Sequence, residues 1–193
     1  MTFSVDDLKE HELFLLLSKP AKLRERNIRL IGELIGADYY ILVITTNQLH
    51  AFLKKSYESH GIPLEKIYFI DAVTKYAMGH DPEPVKHCRF VSSPGNLTDI
   101  GIAVTETLKE LQGKKACILF DSVNAMLIYI SSQNITRFIH FVTNRLRLMN
   151  FYGIFLAVEK GLDPDILVQL TTFVDEVIDV DDPELETRDK EIA

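Results

Sequence analysis

The residues best suited to chemistry lie in the run Lys115-Ala116-Cys117-Ile118-Leu119-Phe120-Asp121-Ser122. An apolar stretch ending in an acid describes a buried strand that delivers a carboxylate to its C-terminal edge, where nucleotide hydrolases hold magnesium. Buried strands also end in Asp simply to cap the next loop, so the run alone does not decide its role. A second charged group, Lys19, Lys22, Arg24 and Arg26, lies in Ser18-Lys19-Pro20-Ala21-Lys22-Leu23-Arg24-Glu25-Arg26-Asn27. Its cations could draw an anion. The stretch contains no glycine, however, and Pro20 lacks an N–H, so a nest of converging amides is not expected. A solvated helix face accounts for the same charges.

Other polar groups carry weaker signals. His80, His87 and Cys88 are close in sequence, with Asp81 and Glu83 between them, but their spacing fits no tight metal pattern. His140 falls near Arg137, Asn144 and Arg147 on a polar, basic helix face that suits solvent, a partner or nucleic acid. Ser92-Ser93-Pro94-Gly95-Asn96 precedes a helix, where a loop can hold an anion or merely cap the helix. Neither a Gly-x-Ser-x-Gly elbow nor a His-Glu-x-x-His pair is present. Cys88 and Cys117 each adjoin apolar runs and read as reduced core cysteines.

These groups must be positioned by elements that the apolar pattern makes legible. Residues 13–17, 39–45, 67–71, 88–91, 116–121, 153–158 and 174–180 form short apolar, β-rich runs. Most are continuously apolar, as expected of strands buried on both faces of a parallel sheet. Between them lie amphipathic segments. Residues 48–60 carry Leu49, Phe52, Leu53 and Tyr57 on one stripe and end at Gly61 and Pro63. Residues 98–112 place Ile100, Ala103, Val104, Leu108 and Leu111 together, with Asn96 or Thr98 as the cap. Residues 133–149 carry Ile135, Phe138, Ile139, Val142, Leu146 and Met149, and Asp163-Pro164-Asp165 opens a further short helix. Strands alternating with helices predict a doubly wound, mainly parallel α/β domain over residues 1–180, followed by an acidic tail over 181–193.

This order resembles the RecA-fold ATPases, particularly the KaiC-like branch. Glu12-Leu13-Phe14-Leu15-Leu16-Leu17 resembles the strand that leads to the phosphate loop, and residues 28–36 resemble the helix after it. Residues 40–46 and 67–71 are similar to the next two strands, 115–121 to the Walker B strand, and 153–158 and 173–180 to the closing pair. The resemblance implies a RecA-like core in which another strand separates the loop-bearing strand from the Walker B-like one. Two departures stand out. No G-x-x-x-x-G-K-[ST] occupies the loop position, and Thr45-Thr46-Asn47-Gln48 offers no acid where KaiC-like enzymes carry a catalytic carboxylate. Asp121 then reads as structural or as a relic.

Composition bounds the rest. With 193 residues, 47% hydrophobic and 25% charged, the chain can bury a sizeable core. A net charge of −7 argues against gripping nucleic acid through its overall field. The first residues lack a basic, apolar leader, and no window approaches ~18 consecutive apolar residues, so a cytoplasmic protein without membrane spans is expected. The leading expectation is a non-catalytic RecA/KaiC-like domain with no cofactor, acting through protein contacts with itself (a homo-oligomer) or with a relative. The competing expectation is a residual nucleotide-binding module. There Lys19 and Lys22 contact phosphates of ATP or GTP, while Asp121 and Ser122 hold magnesium. A third is an enzyme of other chemistry at the strand C-terminal edge, lined by Thr46, Asn47, Ser92, Asp121, Ser122 and Glu159.

Overall fold

The apolar runs become strands whose successive residues face opposite sides, and that alternation builds two cores on one sheet. In the computed structural model, which describes residues 4–9 and 12–181, Leu13–Ser18 (β1) is buried along its whole length. Its Leu13, Leu15 and Leu17 join one apolar cluster, and Phe14 and Leu16 join the other. Ala116–Asp121 (β5) does the same, sending Ile118 and Phe120 one way and Cys117 and Leu119 the other. The remaining strands are Tyr40–Thr45 (β2), Ile67–Asp71 (β3), Cys88–Phe90 (β4), Tyr152–Val158 (β6) and Glu176–Asp179 (β7). They form one sheet of order β4-β3-β2-β5-β6-β1-β7, and every neighbouring pair is parallel. β6 lies between β1 and β5, as the sequence resemblance implied. β7 is shorter than the 174–180 run suggested.

The main helices are Leu23–Gly36 (α1), His50–Ser59 (α2), Leu97–Glu110 (α4), Ser132–Met149 (α6) and Pro164–Thr171 (α7). Two short ones are Thr74–Met78 (α3) and Val123–Met126 (α5). Leu30, Ile31 and Leu34 of α1 and Leu53 and Tyr57 of α2 cover one face of the sheet. Ile100 and Val104 of α4, Ile139 and Leu146 of α6, and Ile166 of α7 cover the other. Crossovers toward β4 thus use one face and those toward β7 the opposite face, as right-handed connections require.

Local chemistry sets the helix ends. The Asn96 side chain caps α4 by accepting from the Asp99 amide at 3.1 Å. Asp163 caps α7 through the Asp165 amide at 2.9 Å. Gly61, with φ of 71°, takes the left-handed turn after α2. Helix α1 begins five residues before the expected 28–36 segment, so the interval between β1 and α1 shrinks to Lys19 and a single 3-10 turn, Pro20–Lys22. Among the described residues, no helix is long and apolar enough to cross a membrane.

Candidate functional site

Open parallel sheets offer a crevice where the strand order reverses, outside the carboxyl ends of the two strands that diverge. Here those strands are β2 and β5. Thr46 closes the gap by donating its amide to the Asp121 carbonyl at 3.1 Å and its hydroxyl to the Ser122 carbonyl at 3.2 Å. Asp121 and Ser122 are both buried, and the peptide bond joining them is cis. The Asp121 carboxylate accepts from Asn27 Nδ2 at 2.8 Å, and Asn27 Oδ1 accepts from the Tyr57 hydroxyl at 2.7 Å. Asn27, on α1, and Tyr57, on α2, are themselves buried, so the relay Tyr57–Asn27–Asp121 runs through a dry layer under the sheet. Burial raises the Asp121 pKa to about 6, and the Asn27 amide only partly opposes that rise. Burial likewise pushes the Tyr57 hydroxyl well above its ordinary value.

One residue earlier on the same helix, Arg26 reaches a different acid. Asp181 follows β7, and its side chain is fully buried against the end of β1. Its Oδ2 accepts from the Ser18 hydroxyl at 2.7 Å and from the Lys19 amide at 2.6 Å. Its Oδ1 accepts from Arg26 Nε at 3.1 Å and Nη2 at 2.8 Å, with Lys22 Nζ at 3.7 Å. Lys19 Nζ donates to the Asp181 main-chain carbonyl at 3.0 Å. Burial alone would raise the Asp181 pKa. The Lys19 amide, Arg26 and Ser18 outweigh it and hold the group at about 2. Asp181 therefore belongs to the folded domain and is not the first residue of a solvated tail. Residues 182–193 lie outside the described residues.

The structure thus brings Lys19, Lys22, Asp121 and Ser122 to the same end of the sheet, bridged by α1, but directs the Lys19, Lys22 and Asp121 side chains to protein partners. Lys19 Nζ donates to the Asp181 main-chain carbonyl and Lys22 Nζ faces its carboxylate. Asp121 accepts from an amide donor through one of its two oxygens, Oδ2. A magnesium nucleotide needs free amides and a hydroxyl–carboxylate pair, and in this arrangement the Lys19 amide and Asp121 Oδ2 are already engaged. The solvated reading is corrected for Arg26, which grips Asp181, whereas Arg24 stays exposed with a 3.3 Å hydrogen bond to Ser56.

The weaker candidates resolve separately. His87 stacks on Tyr68 at 4.2 Å while His80 bonds the Asp81 carbonyl, and among the described residues no three His, Cys, Asp or Glu groups could share a metal. Burial pushes the Cys88 thiol up to about 12, consistent with an inert core cysteine. Ser92 donates to Asp99 at 2.8 Å and accepts from Asn96 at 2.9 Å, so the loop before α4 is self-capped. On the basic face of α6, Arg147 is pinned to Asp175 at 2.6 Å, and His140 lies 4.9 Å from the Phe173 ring. The Glu159 side chain lies outside the described residues.

Two features escaped the sequence reading. Asp71, at the end of β3, is fully buried and accepts from the His50 amide and Nδ1, both at 2.8 Å, and from the Val73 and Thr74 amides. Burial would raise its pKa, but the His50 and Thr74 hydrogen bonds prevail and hold it at about 2. Between α4 and α6 runs an apolar groove of about 640 Å³ lined by Gly101, Ile102, Arg137, Phe138 and Phe141. Ile102 and Phe141 are 53% and 46% exposed, although the stripe pattern had suggested only the buried faces of these helices.

A family model matches residues 14–180, which is most of the chain. The protein belongs to DUF7504, a family of unknown function. Among curated proteins, none matches the sequence significantly. Similar solved structures include PH0321 of Pyrococcus horikoshii, an uncharacterized protein in complex with an unknown peptide. It is 12% identical, with a TM-score of 0.67, and the match covers 91% of this chain and 83% of that one. The KaiC-like protein PH0186 of Pyrococcus horikoshii OT3 is 14% identical, with a TM-score of 0.59, over 86% of this chain and 69% of its own. At such identities the likeness establishes the fold. The DUF7504 chain is a doubly wound, RecA/KaiC-like α/β domain.

Proposed function

We propose that this DUF7504 protein is a non-catalytic RecA/KaiC-like domain that serves as a regulatory or structural protein-interaction module. The observation that carries the proposal is the Asp181 carboxylate at the end of β1. It engages the Ser18 hydroxyl, the Lys19 amide and the Arg26 guanidinium, the groups nearest to where the fold's relatives place a phosphate loop. The glycine-free turn is then a degenerate phosphate loop whose charge requirement is met from within the chain. Asp121 persists at the Walker B-like position but is satisfied by Asn27.

Contact with another protein is supported by the groove between α4 and α6, where apolar side chains stand open to solvent. It is also supported by the peptide bound to PH0321, a protein of similar fold. The partner is a second copy of the chain or a RecA/KaiC-like relative. The enzyme reading asks for a buried acid of raised pKa, and Asp121 supplies one. The α4–α6 groove and those beside His50 and along the start of α1, however, are lined by other residues.

Two measurements test the proposal. Thermal melts with ATP, ADP and GTP, with and without magnesium, should be flat, because a ligand at a hundredfold excess over its Kd would stabilise the fold by about 2.7 kcal/mol. A magnesium-dependent rise abolished by Asp121→Ala would overturn the non-catalytic reading in favour of a nucleotide sensor. Sedimentation velocity across a wide concentration range should reveal self-association, or association with a co-expressed KaiC-like relative, that Ile102→Ser and Phe141→Ser weaken. A strict monomer that binds no such relative refutes the interaction role.

A further inference from the structure

Asp181 is held in the manner of a bound ligand. Among the described residues, every group that contacts its carboxylate comes from one continuous stretch, Ser18, Lys19, Lys22 and Arg26, whereas Asp181 arrives from 155 positions beyond Arg26. The receptor groups are therefore carried by β1, the 3-10 turn and the first turn of α1, and the group that fills them comes from beyond β7. One carboxylate oxygen takes a hydroxyl and a main-chain amide, and the other takes the guanidinium edge. This is the arrangement by which proteins recognise free oxyanions, with a planar fork on one side and a fixed amide on the other.

We infer that the β1–α1 turn is an oxyanion receptor which the chain keeps filled with its own Asp181, and that it accepts a free carboxylate or phosphate group once Asp181 is withdrawn. A tethered group competes at an effective concentration in the millimolar range or above. A free anion at comparable concentration thus makes little headway against the intact chain. Anything that draws away the segment carrying Asp181 exposes the Ser18 hydroxyl, the Lys19 amide and the Arg26 guanidinium together, so occupancy by an external anion and docking of that segment exclude one another. The inference stands on the geometry of this site and holds whether or not the domain acts through protein contacts.

The test is chemical rescue in the full chain. Asp181→Ala, the double variant Asp181→Ala/Arg26→Ala and the wild type are melted in chloride, acetate and phosphate at matched ionic strength. The melting temperature of Asp181→Ala should fall below that of wild type and recover in a saturable way with acetate or phosphate. The anion giving the larger recovery distinguishes a carboxylate ligand from a phosphate ligand. The wild type and the double variant should not respond. Equal behaviour of Asp181→Ala in all three salts, or a wild-type response of the same size, overturns the inference. If Asp181→Ala does not fold in chloride, its refolding yield from urea should rise in phosphate or acetate, and Asp181→Ser, which removes the carboxylate but leaves room for an anion, should show the same anion dependence in melts. No rise in either is equally fatal. Nucleotide binding by the wild type would refute the proposed function and leave this result untouched.

Discussion

Replacing the buried acid of the Tyr57–Asn27–Asp121 relay gives a prediction with a sign, a size and a pH window. Asp121 titrates at about 6 in the fold against an ordinary value of 3.8, and burial is the cause. A folded-state pKa above the unfolded one means that the native state binds the proton more tightly. Stability from this group is then fully present below about pH 4 and is lost as pH rises through 6. At roughly 1.4 kcal/mol for each decade between the two values, an ionised Asp121 costs the fold about 3 kcal/mol at neutral pH. Asp121→Asn keeps the shape and keeps an oxygen to accept from Asn27, but carries no charge. Urea unfolding at pH 4, 5, 6, 7 and 8 should show the variant and the wild type near parity at pH 4. The variant should draw ahead through pH 6 and gain up to about 3 kcal/mol by pH 7 to 8. A difference independent of pH would falsify the assignment of this titration to Asp121. A variant that is less stable at pH 7 than at pH 4, relative to wild type, would mean the ionised carboxylate is favoured by a cation.

Other outcomes follow from the same contacts. Asn27→Leu strips partners from both Asp121 and Tyr57 and should cost about 2–4 kcal/mol in urea unfolding. That cost should shrink in the Asp121→Asn background, because the two residues are directly coupled. Asp71 and Asp181, both held at about 2, contribute stability present above about pH 4 and lost as pH falls toward 2. Acid unfolding followed by circular dichroism should be steepest there, and Asp71→Asn should blunt it. Gly153 admits no side chain, since a Cβ would sit 2.6 Å from Leu146 Cδ1 and 3.0 Å from Leu13 Cδ2, atoms of fully buried residues. Gly153→Ala should therefore destabilise by about 1–3 kcal/mol, with an unchanged association state in sedimentation.

The strands and helices were legible because their signals are local. A run such as residues 116–121 declares a strand by its own apolarity, and Leu13 to Leu17 supply both faces of a parallel sheet without reference to anything distant. The parallel order, with β6 between β1 and β5, was reached through resemblance to a known arrangement and not through residue chemistry. Helix α1 was mislocated at its start because Arg24, Glu25 and Arg26 carry no apolar signal. They are helical because Leu23 and Leu30 already anchor the turns around them and because Arg26 has a partner to reach.

The sequence by itself determined an α/β alternation of strands and helices, the absence of a G-x-x-x-x-G-K-[ST] run and the absence of an acid after β2, since each is written in consecutive residues. Only the tertiary structure decided what the remaining charges do. Ser18 meets Asp181 across 163 positions and Asn27 meets Asp121 across 94. No periodicity or motif encodes such a pairing. It exists because β7 docks beside β1 and α1 packs across β2 and β6, the strands flanking β5, and buried donors and acceptors must then find one another or pay the full cost of desolvation.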